Sequence, residues 1–180
     1  VNERVTGRVA ELQKSLKVNR LTLLSPGGVV LAAAPKDAFG QEMKGLPAVK
    51  DCLTGAVRDG LYSLDGKLTM VGVAPLLDER GKVAGCWMTR TEIGQNTAAR
   101  LSKASGLDVA ILLKKKVVAT TLPADAAKAL APMADGQNPL EFGTPSGKVP
   151  LLVDLSNKAY VARVIQIPGG TDPIHLAVVV

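Results

Sequence analysis

The stretch Lys67 to Arg90, KLTMVGVAPLLDERGKVAGCWMTR, decides how the chain is read. Leu68 to Leu77 is almost continuously apolar, which predicts a strand buried on both faces. Asp78-Glu79-Arg80-Gly81 is a polar turn with Gly available where a positive φ is needed. Val83 to Thr89 returns through Gly85, Cys86 and Trp87 as a second strand. A long hairpin of this kind forms the middle of an antiparallel sheet, and the preceding segments supply its other members.

Val1 to Lys17 is helical in pattern, with Val5, Val9, Leu12 and Leu16 on one stripe spaced four, three and four. The stripe suits packing on the back of a sheet and equally a two-stranded helical seam. It is expected to be buried by one of the two. Leu21–Leu24 and Val29–Ala33 flank Ser25-Pro26-Gly27-Gly28 as a hairpin. Asp37 to Lys44 reads as a loop or single turn. A short helix then starts at Pro47 and stops near Gly55. Leu61–Leu64 is a third strand that ends at the Asp65-Gly66 turn. Thr89-Arg90-Thr91-Glu92 reads as a capping box that opens a connecting helix, closed by Gly106.

The second half repeats this plan. VVATTLP at Val117–Pro123 parallels VVLAAAP at Val29–Pro35. An Ala-rich helix from Ala124 to Ala131 follows. A loop runs through Asn138, Pro139, Gly143 and Pro145, and strands follow at Val149–Leu155, Lys158–Ile167 and Ile174–Val180. A period of roughly 90 residues is too long for a solenoid and suits two tandem lobes.

Composition narrows the function classes. The 180 residues are 47% hydrophobic and 3% aromatic, so the cores must be aliphatic. A mean hydropathy of +0.20 argues against disorder. No apolar run approaches the ~20 residues of a membrane helix. The net charge of +6 is dispersed apart from Lys114-Lys115-Lys116, which reads as a solvated hairpin turn. Without interleaved aromatics for base stacking, nucleic acid is not the expected partner.

His175 is the only histidine, and it lies in an apolar final strand, where a structural place suits it better than that of a catalytic base. Asp59 and Asp65 sit at turn positions, where solvation is the default. Pro26-Gly27-Gly28 is a turn, not a phosphate loop. So few His and Cys residues give no expectation of a metal, and no axial ligand for a haem is evident. Cys52 and Cys86 are read as buried free thiols, with a single bridge as the alternative in an oxidising compartment. No enzyme and no cofactor is expected.

A helix, hairpin, helical insert and three-stranded meander, used twice, resembles the double Cache sensor domain, a pair of PAS-like lobes. The wording also looks like that family: GGVVLA, DAFG, LPAVKDCLTG, GLYSLDGKL and VAPLLDERGKVAGCW. The resemblance implies an α+β fold with two tandem PAS-like antiparallel sheets after an N-terminal helix. It divides the chain into a signalling helix (1–20), a membrane-distal lobe (21–91), a connecting helix (92–106) and a membrane-proximal lobe (107–180). It implies the extracytoplasmic, periplasmic sensor part of a bacterial histidine kinase or chemoreceptor. The chain is accordingly expected to be a fragment, with membrane helices before Val1 and after Val180 in the parent. A homodimer through the N-terminal helix is a further expectation.

The ligand is expected in the first lobe, between the meander and the Asp37–Gly55 insert. Phe39 and Met43 would be an adaptable apolar lid, and Tyr62 and Trp87 flat walls. Arg58 and Arg90 would clamp a small organic acid, with Lys50 on the facing helix. Alternation places Trp87 and Arg90 on opposite faces of a regular strand, so lining one pocket together needs a bend. A ligand-free structural or dimerisation module of the same fold is the alternative.

Overall fold

The computed structural model describes residues 3–35, 39–114, 116–130, 151–155, 158–167 and 174–179. The chain divides into two compact units, one of residues 1–62 and 69–92, the other of residues 63–68 and 93–180.

Apart from residues 63–68 at the β3–β4 turn, the first unit comprises α1 (Glu3–Leu16), β1 (Arg20–Leu24), β2 (Val30–Ala34), α2 (Pro47–Leu53), β3 (Arg58–Leu64), β4 (Lys67–Leu77) and β5 (Val83–Glu92). The strands form one antiparallel sheet in the order β2-β1-β5-β4-β3, so β5 is central. The second unit follows the same order of elements: α3 (Gln95–Ser105), β6 (Asp108–Leu113), β7 (Lys116–Thr120), α4 (Ala124–Leu130), β8 (Leu151–Leu155), β9 (Lys158–Ile167) and β10 (Ile174–Val179). Its sheet is ordered β7-β6-β10-β9-β8, position for position the same topology. The fold is therefore α+β, with an N-terminal helix and two PAS-like antiparallel sheets. The loop expected through Asn138–Pro145 lies outside the described residues.

Turn chemistry explains the hairpins. Asp65 and Gly66 both have positive φ, 52° and 74°, as a tight two-residue turn demands. Asp78 Oδ1 accepts from the amides of Arg80 and Lys82, both at 2.9 Å, and fixes the β4–β5 turn. Within β5, Gly85 passes so close to β1 that an added Cβ would lie 2.3 Å from the Leu24 carbonyl oxygen.

Strand alternation gives the first sheet two distinct faces. Leu21 and Leu23 of β1, Ala32 and Ala34 of β2 and Trp87 of β5 pack towards Val9 of α1. The opposite face carries Thr22 and Leu24, Met88 and Cys86, and Val71 and Val73, paired across the ladder as Thr22↔Met88, Leu24↔Cys86, Val71↔Arg90 and Val73↔Met88. α2 covers one end of that face through buried Ala48, Val49 and Cys52.

Several expectations change here. β4 is not buried on both faces: Val71 and Val73 are buried, but Met70 is 47% exposed and Gly72, Ala74 and Leu76 are half-buried. α1 packs mainly on β1 and β2, with Trp87 of β5 beside it, so the sheet itself buries only Val9 and Thr6 of that helix and leaves Val5, Leu12 and Leu16 exposed. Thr89–Glu92 is not a capping box. Cross-strand pairing with β4 carries β5 through Glu92, and α3 starts after Gly94 without a side-chain cap. Cys52 and Cys86 are not free thiols: both are fully buried and joined in a disulfide, Cα–Cα 6.4 Å, that ties α2 to β5.

Candidate functional site

The face of the first sheet that α2 covers holds a buried charge. Arg90 lies in the central strand and is 7% exposed. Its register partners are Val71 on β4 and Arg20 on β1, so Arg20 shares its face. Thr22, diagonal to Arg90 on β1, is fully buried, and its Oγ1 has no hydrogen-bond partner among the described residues. Thr69, diagonal to Arg90 on β4, is also buried. Glu92 follows Arg90 on the same face and is exposed, with its amide donating to Asn19 Oδ1 at 2.7 Å. Two guanidiniums and two buried hydroxyls thus share the β1–β5–β4 face, set among Met88, Val71 and Val73. A guanidinium in such a place offers paired N–H donors to a planar anion.

The second unit is an internal reference for what this fold requires. Its sequence runs 88 positions behind the first, as Val117 follows Val29, and its ladder pairs Asp108↔Val179 and Ala110↔Ala177 where the first pairs Arg20↔Arg90 and Thr22↔Met88. Ala110, Leu112, Ala177 and Val179 join Leu122, Ala126 and Leu130 in a wholly aliphatic cluster. Asp108 sits at the margin, where its Oδ1 accepts from Thr121 Oγ1 at 2.9 Å. The topology therefore closes well over Val at the position where the first unit buries Arg90.

The seven residues picked from the sequence do not line one site. Arg90 is on the α2-covered face. Met43 is buried near the β1–β2 turn, its amide donating to the Gly28 carbonyl at 2.8 Å. Tyr62 is buried on β3, its ring lying over Gly60. Arg58 is exposed, and its Nε donates to Asp51 Oδ2 of α2 at 3.0 Å. Lys50 points to solvent, and Phe39 is 60% exposed. Trp87 faces α1, on the other side of the sheet from Arg90, because β5 runs unbent between them. Sequence reasoning missed Arg20, Thr22 and Thr69. Arg20 and Thr22 alternate with Leu21 and Leu23, a period-two signal that places them together on one face.

Trp87 instead belongs to an open groove of about 450 Å³ lined by Arg4, Val5, Arg8, Val9, Leu12, Leu23 and Trp87. Its floor is apolar and its rim basic, with Arg8 paired to Glu11 at 3.0 Å. Among the described residues no group of three or more His, Cys, Asp or Glu could hold a metal ion. No described helix is long and apolar enough to cross a membrane.

No family model and no curated protein matches the chain in sequence. Solved structures match in fold. The sensor domain of the Vibrio cholerae histidine kinase DctB superposes with a TM-score of 0.61 at 10% identity, covering 98% of this chain and 77% of that one. The periplasmic domain of Vibrio cholerae LuxQ gives 0.57 at 12% identity, over 99% and 82%. The ligand-binding domain of the Pseudomonas aeruginosa amino-acid chemoreceptor PctC, solved with GABA, gives 0.53 at 14% identity, over 100% and 81%. The chain thus has the fold of bacterial periplasmic sensor domains, as its likeness to double Cache domains implied.

Proposed function

We propose that this chain is the ligand-sensing domain of a bacterial signal-transduction receptor, and that its first lobe binds a small carboxylate at Arg90. One observation carries the reading. Arg90 is buried in the central strand, whereas the second lobe fills the equivalent position with Val179, 1% exposed. Burying a cation has a large desolvation cost and contributes little to stability compared with a well-packed aliphatic residue. A fold that closes over valine has no structural need of the arginine, so a role in recognition explains it better. Domains of the same fold include one solved with GABA, itself a small acid.

The setting is consistent with an extracytoplasmic domain of a membrane-anchored receptor. Its fold neighbours include sensor domains of a histidine kinase and a chemoreceptor, and a buried disulfide suits an oxidising compartment. The exposed Val5, Leu12 and Leu16 beside the Trp87 groove favour a second copy as partner, α1 against α1. Such pairing would serve a ligand-free dimerisation module equally.

The deciding experiment is calorimetric titration of the purified domain with acetate, propionate, pyruvate, succinate and γ-aminobutyrate, for wild type and Arg90→Gln. Saturable binding by the wild type that Arg90→Gln abolishes supports the proposal. A folded wild type that binds none of these acids moves the weight to the dimerisation module.

A further inference from the structure

The junction between α1 and β1 is held by side-chain amides in place of backbone pairing. Gln13 Nε2 donates to the carbonyls of Val18 and Asn19, at 2.8 and 3.2 Å. Asn19 Oδ1 accepts from the Glu92 amide at 2.7 Å. The ladder pairs Leu24↔Cys86, Thr22↔Met88 and Arg20↔Arg90, and its continuation past Arg20 sets Val18 opposite Glu92. Because the Glu92 amide points towards β1, a regular antiparallel ladder would give it the Val18 carbonyl as acceptor. That carbonyl is engaged by Gln13, and the Asn19 side chain takes its place.

Little else holds the end of α1. Thr6 and Val9 are the buried residues of the helix, whereas Lys14, Ser15 and Leu16 are exposed. Lys17 takes a φ of 54°, a left-handed conformation that is unfavourable for any residue but glycine. Val18 is β-branched and half-buried, and suits a strand. Unwinding the last turn therefore exposes no buried side chain of that turn, relaxes Lys17 and frees the Val18 carbonyl. The Glu92 amide has an acceptor in either arrangement. Segments with so few buried contacts open at a small fraction of the global stability.

We propose that the α1–β1 junction is a helix-to-strand exchange. In the wound form Gln13 holds the Val18 and Asn19 carbonyls, and the Asn19 side chain accepts from Glu92. In the extended form the last turn of α1 unwinds, the Val18 carbonyl accepts from the Glu92 amide, and β1 gains a further ladder pair with β5. The exchange shortens the helix at the start of the first unit and lengthens the strand beside Glu92, the residue at which the chain leaves that unit. Gln13 and Asn19 are positioning residues that set the populations of the two forms. The exchange stands whether or not the first lobe binds an acid.

The test is amide hydrogen exchange, read residue by residue by NMR on the full chain, for wild type, Asn19→Ala, Gln13→Met and Asn19→Asp. Asn19→Ala removes a bond made only in the wound form. Gln13→Met does the same at the other end, since Met matches Gln in helix propensity and donates nothing. In both, exchange at Lys14–Lys17 should rise about tenfold, which is the worth of one net hydrogen bond. The Glu92 amide should stay protected in both, because Val18 takes it over. Asn19→Asp keeps an acceptor and should match wild type. The Val71 and Met88 amides, within the sheet, should not change in any variant. A static contact gives the opposite pattern in Asn19→Ala, with faster exchange at Glu92 and none at Lys14–Lys17, and that result overturns the proposal. Unchanged exchange at Lys14–Lys17 in both Asn19→Ala and Gln13→Met overturns it too, as does an equal acceleration at Val71 and Met88, which marks a global loss of stability.

Discussion

The Cys52–Cys86 bridge ties the helical insert to the central strand, and its removal has a calculable effect. The bridge spans 34 residues and encloses the β3–β4 hairpin together with the turn into β5. Cross-linking a loop of that length removes chain entropy from the unfolded state equivalent to about 4 kcal/mol at 25 °C. Domain stabilities are about 5–15 kcal/mol, so this is a large share of the total. α2 has only seven residues and no side-chain N-cap, and a helix that short is marginal unless held by tertiary contacts. Trp87, the only tryptophan, lies next to Cys86 on β5, so its fluorescence reports on the lobe that contains the bridge. In urea, with a slope of about 2 kcal/mol/M, the Trp87 transition of Cys52→Ala/Cys86→Ala should fall by about 2 M. Wild type reduced under denaturing conditions and refolded with the reductant present should shift by a similar amount, which separates the bond from the loss of two sulfur atoms. A shift under about 0.5 M in both samples would refute the reasoning, because the bridge would then be constraining nothing that the noncovalent packing does not already hold.

Other outcomes follow from single positions. Gly85→Ala would push a methyl group against the Leu24 carbonyl, with backbone on both sides, and should cost about 3 kcal/mol or more by chemical denaturation. Val9→Ala empties the fully buried contact between α1 and the sheet and should cost roughly 2 kcal/mol by the same measurement. Replacing exposed Leu12 and Leu16 together with Asp should leave the urea midpoint near wild type while it abolishes any dimer seen by sedimentation equilibrium. Arg58→Ala removes a solvent-exposed ion pair with Asp51 and should change stability by no more than about 1 kcal/mol.

What could be read in advance was local. The turns at Asp65-Gly66 and Asp78–Gly81, the hairpin strands and the repeat between Val29–Pro35 and Val117–Pro123 are short-range signals, and they suffice for the order of elements. The misreadings share one cause, that a residue's role depended on a strand distant in sequence. Thr89–Glu92 has the composition of a helix start, yet the β4 ladder claims it for the sheet. Cys52 and Cys86 are joined only because α2 folds back over β5. Arg58 looked like a binding group because it is a cation at a strand end, and a carboxylate one helix away pairs with it instead. Arg20 attracted no attention because an arginine before Leu21–Leu24 resembles a solvated strand end. Only the register Arg20↔Arg90, seventy positions apart, shows that the two arginines share a face.

That register also bears on how one scaffold can hold two different lobes. Both sheets use the same strand order and both carry a helix over the face in question, so the backbone is not what distinguishes them. The difference lies in side chains at a few matched ladder positions. Arg20, Thr22 and Arg90 stand where Asp108, Ala110 and Val179 stand; Ala110 and Val179 join an aliphatic core, and Asp108 at its margin accepts from Thr121. A mutation from the second set to the first would bury charge with no structural return, which selection for stability alone would remove. β5 then has two separate roles. Arg90 and Met88 face the candidate site, and Trp87 faces α1. The face that carries Arg90 and the face that forms the wall of the α1 groove thus belong to one strand. Any substitution that shifts β5 is therefore expected to alter both faces, because close-packed interiors transmit strain.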